Sequence, residues 1–140
     1  MARPRNENPT PGELELLQIL WDRGATTGRE MHAELARRGR ERAYTSVTSL
    51  LNVMHDKGYV SREPEGRAFR YDAIVRPDAT LRELVGELRD RAFEGSASTL
   101  VTHLLQEAAP SRDELDEIRR VIDSFEQGQS PRRGRGGRPE

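Results

Sequence analysis

Apolar residues recur along this chain first with a helical period, then with a strand period, then with a helical period again. Leu14, Leu17, Leu20 and Trp21 share one helix face, and Gly24 stops that helix. Thr10-Pro11-Gly12-Glu13 starts it, with a capping oxygen, a proline at the first helical position and a glutamate placed to reach back. Thr27-Gly28-Arg29-Glu30 is a second capping box, and Met31, Leu35 and Ala36 are the inward positions of the helix it opens, which ends near Gly39. After a basic turn over residues 37–42, Val47, Leu50, Leu51 and Met54 at i, i+3, i+4 and i+7 predict a third helix over 44–57, closed by Gly58.

The period then changes to two. Tyr59 to Arg62 and Arg67 to Ala73 read as strands joined by the reversal Glu63-Pro64-Glu65-Gly66, with Phe69 and Tyr71 on one face and Arg70 and Asp72 on the other. From Pro77 the helical period returns. Leu81, Leu84, Val85 and Leu88 share a face, with Phe93 just before Gly95. Leu100, Val101, Leu104 and Leu105 belong to a further helix, and Ser111-Arg112-Asp113-Glu114 caps a last one through Leu115, Ile118, Ile122 and Phe125. Three helices followed by a hairpin form a winged helix-turn-helix pattern. The predicted fold is therefore mostly α with a small β-hairpin wing, followed by a C-terminal helical region. The expected division is a disordered arm (1–9), a winged-helix domain (10–76), a helical dimerisation region (77–127) and a disordered Arg/Gly-rich tail (128–140).

Composition narrows the function classes. With 140 residues, 34% hydrophobic and 34% charged, the chain suits one compact domain plus an extension whose core a partner copy completes. It has no cysteine, no apolar run of membrane length and nothing like a signal peptide, so the expectation is a cytoplasmic protein without membrane insertion. Net charge is only −1 but unevenly spread: residues 23–76 carry eleven Arg/Lys against seven Asp/Glu, and residues 77–127 carry six against twelve. The first half is suited to an anion, and the second to another task.

The outer face of the third helix shows Thr45, Ser46, Thr48, Ser49 and Asn52, short and uncharged where a merely solvated helix would favour Glu and Lys. In a helix-turn-helix this second helix enters the major groove, so these residues, with Tyr44 at its start, are the candidate base readers. Arg29, Arg42 and Lys57 beside the reader, and Arg67 and Arg70 in the wing, are the candidate phosphate contacts with double-stranded DNA. The apolar set Leu81, Leu84, Val85, Leu88, Phe93, Leu100, Val101, Leu104, Leu105, Leu115, Ile118, Ile122 and Phe125 is the candidate homodimer interface, which would set two readers on successive half-sites of a palindrome. His32, His55 and His103 are dispersed over three helices and suggest no metal site, and no cofactor is expected. There is no HExxH, P-loop or Gly-x-Ser-x-Gly, which argues against an enzyme. A ligand-responsive winged-helix regulator of the multidrug type and a winged-helix protein-interaction module are the alternatives.

Glu13-Leu14-Glu15-Leu16-Leu17 with Trp21, Tyr44 through Leu51, Lys57-Gly58-Tyr59-Val60 and Gly66 through Tyr71 together resemble the penicillinase-repressor (BlaI/MecI) family, over about residues 10 to 126. Phe93-Glu94-Gly95-Ser96 and the Leu100 to Leu105 helix resemble that family's dimerisation region. The resemblance implies a bacterial dimeric repressor on a palindromic operator ahead of β-lactam resistance or stress genes, released when a membrane sensor-protease system cuts it. The chain departs from the family at Val53, commonly Arg, and at Asp56, usually basic. It also has Ser96-Ala97 after Gly95, where members that are cut carry an Asn-Phe bond, and it lacks the C-terminal cysteines of a copper-responsive branch.

Overall fold

Thr10 turns the chain into its first helix through the predicted reciprocal cap: the Glu13 amide donates to Thr10 Oγ1 at 3.2 Å, and the Thr10 amide donates to Glu13 Oε1 at 3.0 Å. The computed structural model describes residues 8–128. The arm and tail expected at the two ends lie almost wholly outside them. Helices α1 (Pro11–Arg23), α2 (Gly28–Arg37) and α3 (Tyr44–Lys57) precede strands β2 (Val60–Glu65) and β3 (Ala68–Ala73), with a two-residue strand β1 (Thr26–Thr27) between α1 and α2. Helices α4 (Pro77–Ala92), α5 (Ala97–Ala108) and α6 (Arg112–Glu126) follow.

The core of the first unit is built from Leu16, Leu17, Ile19 and Leu20 of α1, Met31 and Leu35 of α2, Val47, Leu51 and Met54 of α3, and Tyr59, Val60 and Tyr71 from the sheet. The stripe predicted on α1 is rotated. Leu14 and Trp21 lie at the margin and Leu16 and Ile19 go inside, because α1 packs against both helices and β3 and so buries more than one face. Trp21 finds its polar partner at that margin, donating Nε1–H to the Val75 carbonyl at 3.1 Å. On α2, Ala36 is exposed instead of inward and Glu34 is buried. Helix α3 matches its predicted span, and Gly58 closes it in the left-handed conformation at φ +82°.

The sheet is antiparallel with order β1-β3-β2, and Thr26 pairs with Tyr71 while Arg62 also pairs with Tyr71 from the other side. Strand β2 runs further than predicted, through Pro64 to Glu65, and the reversal is the tighter Gly66-Arg67 with Gly66 at φ +64°. Proline is tolerated there because β2 is an edge strand. Tyr71 reaches the core, whereas Phe69, two residues nearer the turn on the same face, is 38% exposed.

The compact unit containing the winged helix extends through Arg91, and a second comprises 92–128. Within the first, α4 buries Thr80, and the Asn8 amide donates to the Glu87 carboxylate. Within the second, Ser96 and Ser111 cap α5 and α6 through the amides of Thr99 and Glu114, and the Phe93 and His103 rings lie 5.1 Å apart. Neither α5 nor α6 has a buried residue.

Candidate nucleic-acid interface

Helix α3 can show its polar side because its apolar side is so well occupied. Val47, Leu51 and Met54 are fully buried, which turns Thr45, Ser46, Ser49 and Asn52 to solvent, with Thr48 half-buried beside them. Thr48 Oγ1 donates to the Thr45 carbonyl at 3.0 Å, a local bond that fixes its rotamer and leaves its methyl available for contact. Ala43 precedes the helix without a side-chain cap and no acidic residue occupies the first turn, so the positive end of the helix dipole is left uncompensated by the chain itself. Tyr44 stands at that end, 36% exposed, with the Arg29 guanidinium 5.2 Å over its ring and the His32 ring edge-on at 5.6 Å.

The predicted basic residues divide. Arg67 occupies the hairpin turn and is exposed. Arg42 instead donates to Glu15 Oε1 at 3.1 Å, beside Arg40 on the other oxygen at 3.2 Å. Lys57 reaches Glu13, 3.0 and 3.1 Å from its two oxygens, so the last turn of α3 is tied to the first turn of α1. Arg70 holds Glu65 with two bonds of 2.6 and 2.9 Å and donates to the Ala25 carbonyl at 2.9 Å. That pairing holds the Glu65 carboxyl below its ordinary value. In this structure Arg42, Lys57 and Arg70 therefore brace the scaffold. A capping glutamate or a wing carboxylate in the sequence does not announce which cation it will take, and the partners here lie 27, 44 and 5 residues away.

Two residues outside the candidate contacts, Arg62 and Phe69, join this face. Arg62 on β2 donates Nη1–H to Asn52 Oδ1 at 3.2 Å, and its guanidinium lies 4.4 Å over the Phe69 ring. The wing and α3 are thereby coupled side chain to side chain. Their sequence signal is weak, since an arginine in an edge strand is ordinary surface chemistry.

A family model described as penicillinase repressor matches residues 9–124. The transcriptional regulator BlaI of Mycobacterium tuberculosis is 30% identical over 125 residues, covering 86% of this chain and 88% of that protein. The methicillin resistance regulatory protein MecI of Mammaliicoccus sciuri is 19% identical over 110 residues, covering 79% and 89%. Among solved structures, the DNA-binding domain of the repressor BlaI is 20% identical with a TM-score of 0.47, covering 54% of this chain and 90% of that one. Among the described residues no helix is long and apolar enough to cross a membrane. These relatives are regulators and not enzymes, and with the family model matching most of its length this chain belongs to the penicillinase-repressor family and is a BlaI/MecI-type transcriptional repressor.

Proposed function

We propose that the chain represses transcription as a homodimer bound to a palindromic operator, with one α3 in the major groove of each half-site. The observation that carries this reading is the exposed, short and uncharged face of α3, Thr45, Ser46, Ser49 and Asn52, on a helix anchored by a fully buried opposite face. Small hydroxyls and an amide permit close approach to base edges, and the uncapped N-terminus beside Arg29 and Tyr44 suits a phosphate. Arg67 at the tip of the wing supplies a further backbone contact.

Dimerisation is supported by apolar surface left wet in one chain. Leu81, Val85 and Leu88 on α4, Val101 and Leu104 on α5, and Ile122 and Phe125 on α6 are all exposed, Leu104 at 56% and Phe125 at 60%. Leu84, Phe93, Leu100, Leu105, Leu115 and Ile118 from the same predicted set are half-buried. A second copy that covers these faces completes the core. Similarity to a methicillin resistance regulatory protein and to a penicillinase repressor favours β-lactam resistance genes among the targets.

The test is a fluorescence anisotropy titration of the full chain against the DNA upstream of its own gene, with Ser49→Glu beside wild type. A carboxylate on the reading face should weaken binding at least about a hundredfold through repulsion from phosphates and bases, without loss of helical signal. Wild-type protein that leaves duplex unbound even at low salt would refute the reading.

A further inference from the structure

Asn52 is the side chain of the reading face that the wing holds. Arg62 donates Nη1–H to Asn52 Oδ1 at 3.2 Å, and its guanidinium is stacked 4.4 Å over Phe69, a ring that β3 leaves 38% exposed. A guanidinium has donors only, so the end of the amide that faces it is the oxygen. The stack restrains the planar fork, which makes the bond cheaper in side-chain entropy than a free surface arginine would allow. With one of the oxygen's two lone pairs engaged by Arg62, the end of Asn52 more available to another partner is the NH₂ donor. Adenine presents one acceptor and one donor in the major groove, N7 and the N6 amino group, and an asparagine clasps it with both ends of its amide. Guanine presents two acceptors, N7 and O6, which ask for donors alone.

We infer that Arg62 is a positioning residue for base recognition: by engaging Asn52 Oδ1 it sets that amide as a hydrogen-bond donor and biases the base pair read by Asn52 toward guanine over adenine. This rests on α3 being the major-groove helix. The Phe69 ring is the platform that holds Arg62 in place, so the specificity of one base position is distributed over the reading helix and both strands of the wing.

The test selects duplexes from a randomised pool with wild-type full-length protein, then repeats the selection with Arg62→Ala, Asn52→Ala, the double variant and Phe69→Leu. Asn52→Ala identifies the position in question by the preference it loses. At that position Arg62→Ala should lower the guanine-over-adenine ratio roughly five- to tenfold, the scale of one good base contact, while the other positions keep their preferences. The double variant should do no worse there than Asn52→Ala alone, and Phe69→Leu should shift the ratio in the same direction by less. Arg62 and Phe69 both lie outside the buried core, and circular dichroism checks that the variants remain folded. If Arg62→Ala keeps the base preference and weakens binding to all sequences alike, with the salt slope reduced by about one, Arg62 is a phosphate contact and the inference is overturned. A wild-type selection that enriches no duplex instead fells the reading of α3 itself.

Discussion

Glu34 is 5% exposed and accepts hydrogen bonds from Arg37 on its own helix, from Arg38 just past the end of that helix and from Arg23 on α1. Those bonds, Arg37 first and Arg38 next, hold its carboxyl at about 2, well below the ordinary value of 4.5. A carboxylate with a depressed folded-state pKa stabilises the fold fully above the ordinary value, and the contribution is lost as pH falls from about 4.5 toward 2. Urea midpoints should therefore show Glu34→Gln clearly less stable than wild type at pH 7, with the gap closing over that acid window; a gap that ignores pH would mean the ion pairs contribute nothing. Glu13 and Lys57 make a different residue-scale prediction. Glu13 is 2% exposed, so Lys57→Ala strands a buried carboxylate and should cost about 1–3 kcal/mol, less than a fully dry pair because the lysine end is partly wet. The thermal midpoint should fall while the salt dependence of DNA binding stays put; a slope lower by about one would return Lys57 to the phosphates.

At the scale of elements, helices with strong periodicity and a closing glycine were legible. Residues 44–57 were predicted for α3, and Tyr44–Lys57 is what forms, because Val47, Leu51 and Met54 repeat on one face and Gly58 adopts the left-handed turn. Both threonine capping boxes also form as written, since a cap is a contact over three residues and owes little to the rest of the fold. Strand β1 was missed, because two residues hold no period and Thr26–Thr27 becomes a strand only by pairing with Tyr71 and Arg70. The longer β2 was missed because Pro64 reads locally as a breaker, and only its edge position makes it harmless. Helix α3 draws its stability from packing, so Leu51→Ala should lower the unfolding free energy by about 2–5 kcal/mol in a denaturant titration. Thr10→Ala removes one capping bond from α1 and should cost only about 1 kcal/mol in the same assay.

For the whole molecule, the contrast between a dry first core and a wet α5–α6 pair is the strongest argument for a partner copy. The helix α6 sequence alternates Asp, Glu and Arg with Leu115, Ile118, Ile122 and Phe125, and none of those four is buried in the single chain. Sedimentation equilibrium of the full chain should give a dimer across the micromolar range. Leu104→Glu, which places a carboxylate on a face half open in the single chain, should shift the protein to monomer and weaken operator binding with it. A variant that stays dimeric would remove α5 from the interface.

What the sequence determined by itself was local. It set where helices start and stop, which half of the chain is basic, and which helix carries short polar residues on an outer face, because period, capping and composition act over a few residues. Tertiary structure decided who pairs with whom. It paired Arg42, Lys57 and Arg70, the expected phosphate contacts, with Glu15, Glu13 and Glu65, and it brought Arg62 from the wing onto Asn52 of α3. A guanidinium or ammonium takes the carboxylate or amide that the fold carries into reach. That distance is a property of packing, which no pattern along the chain records.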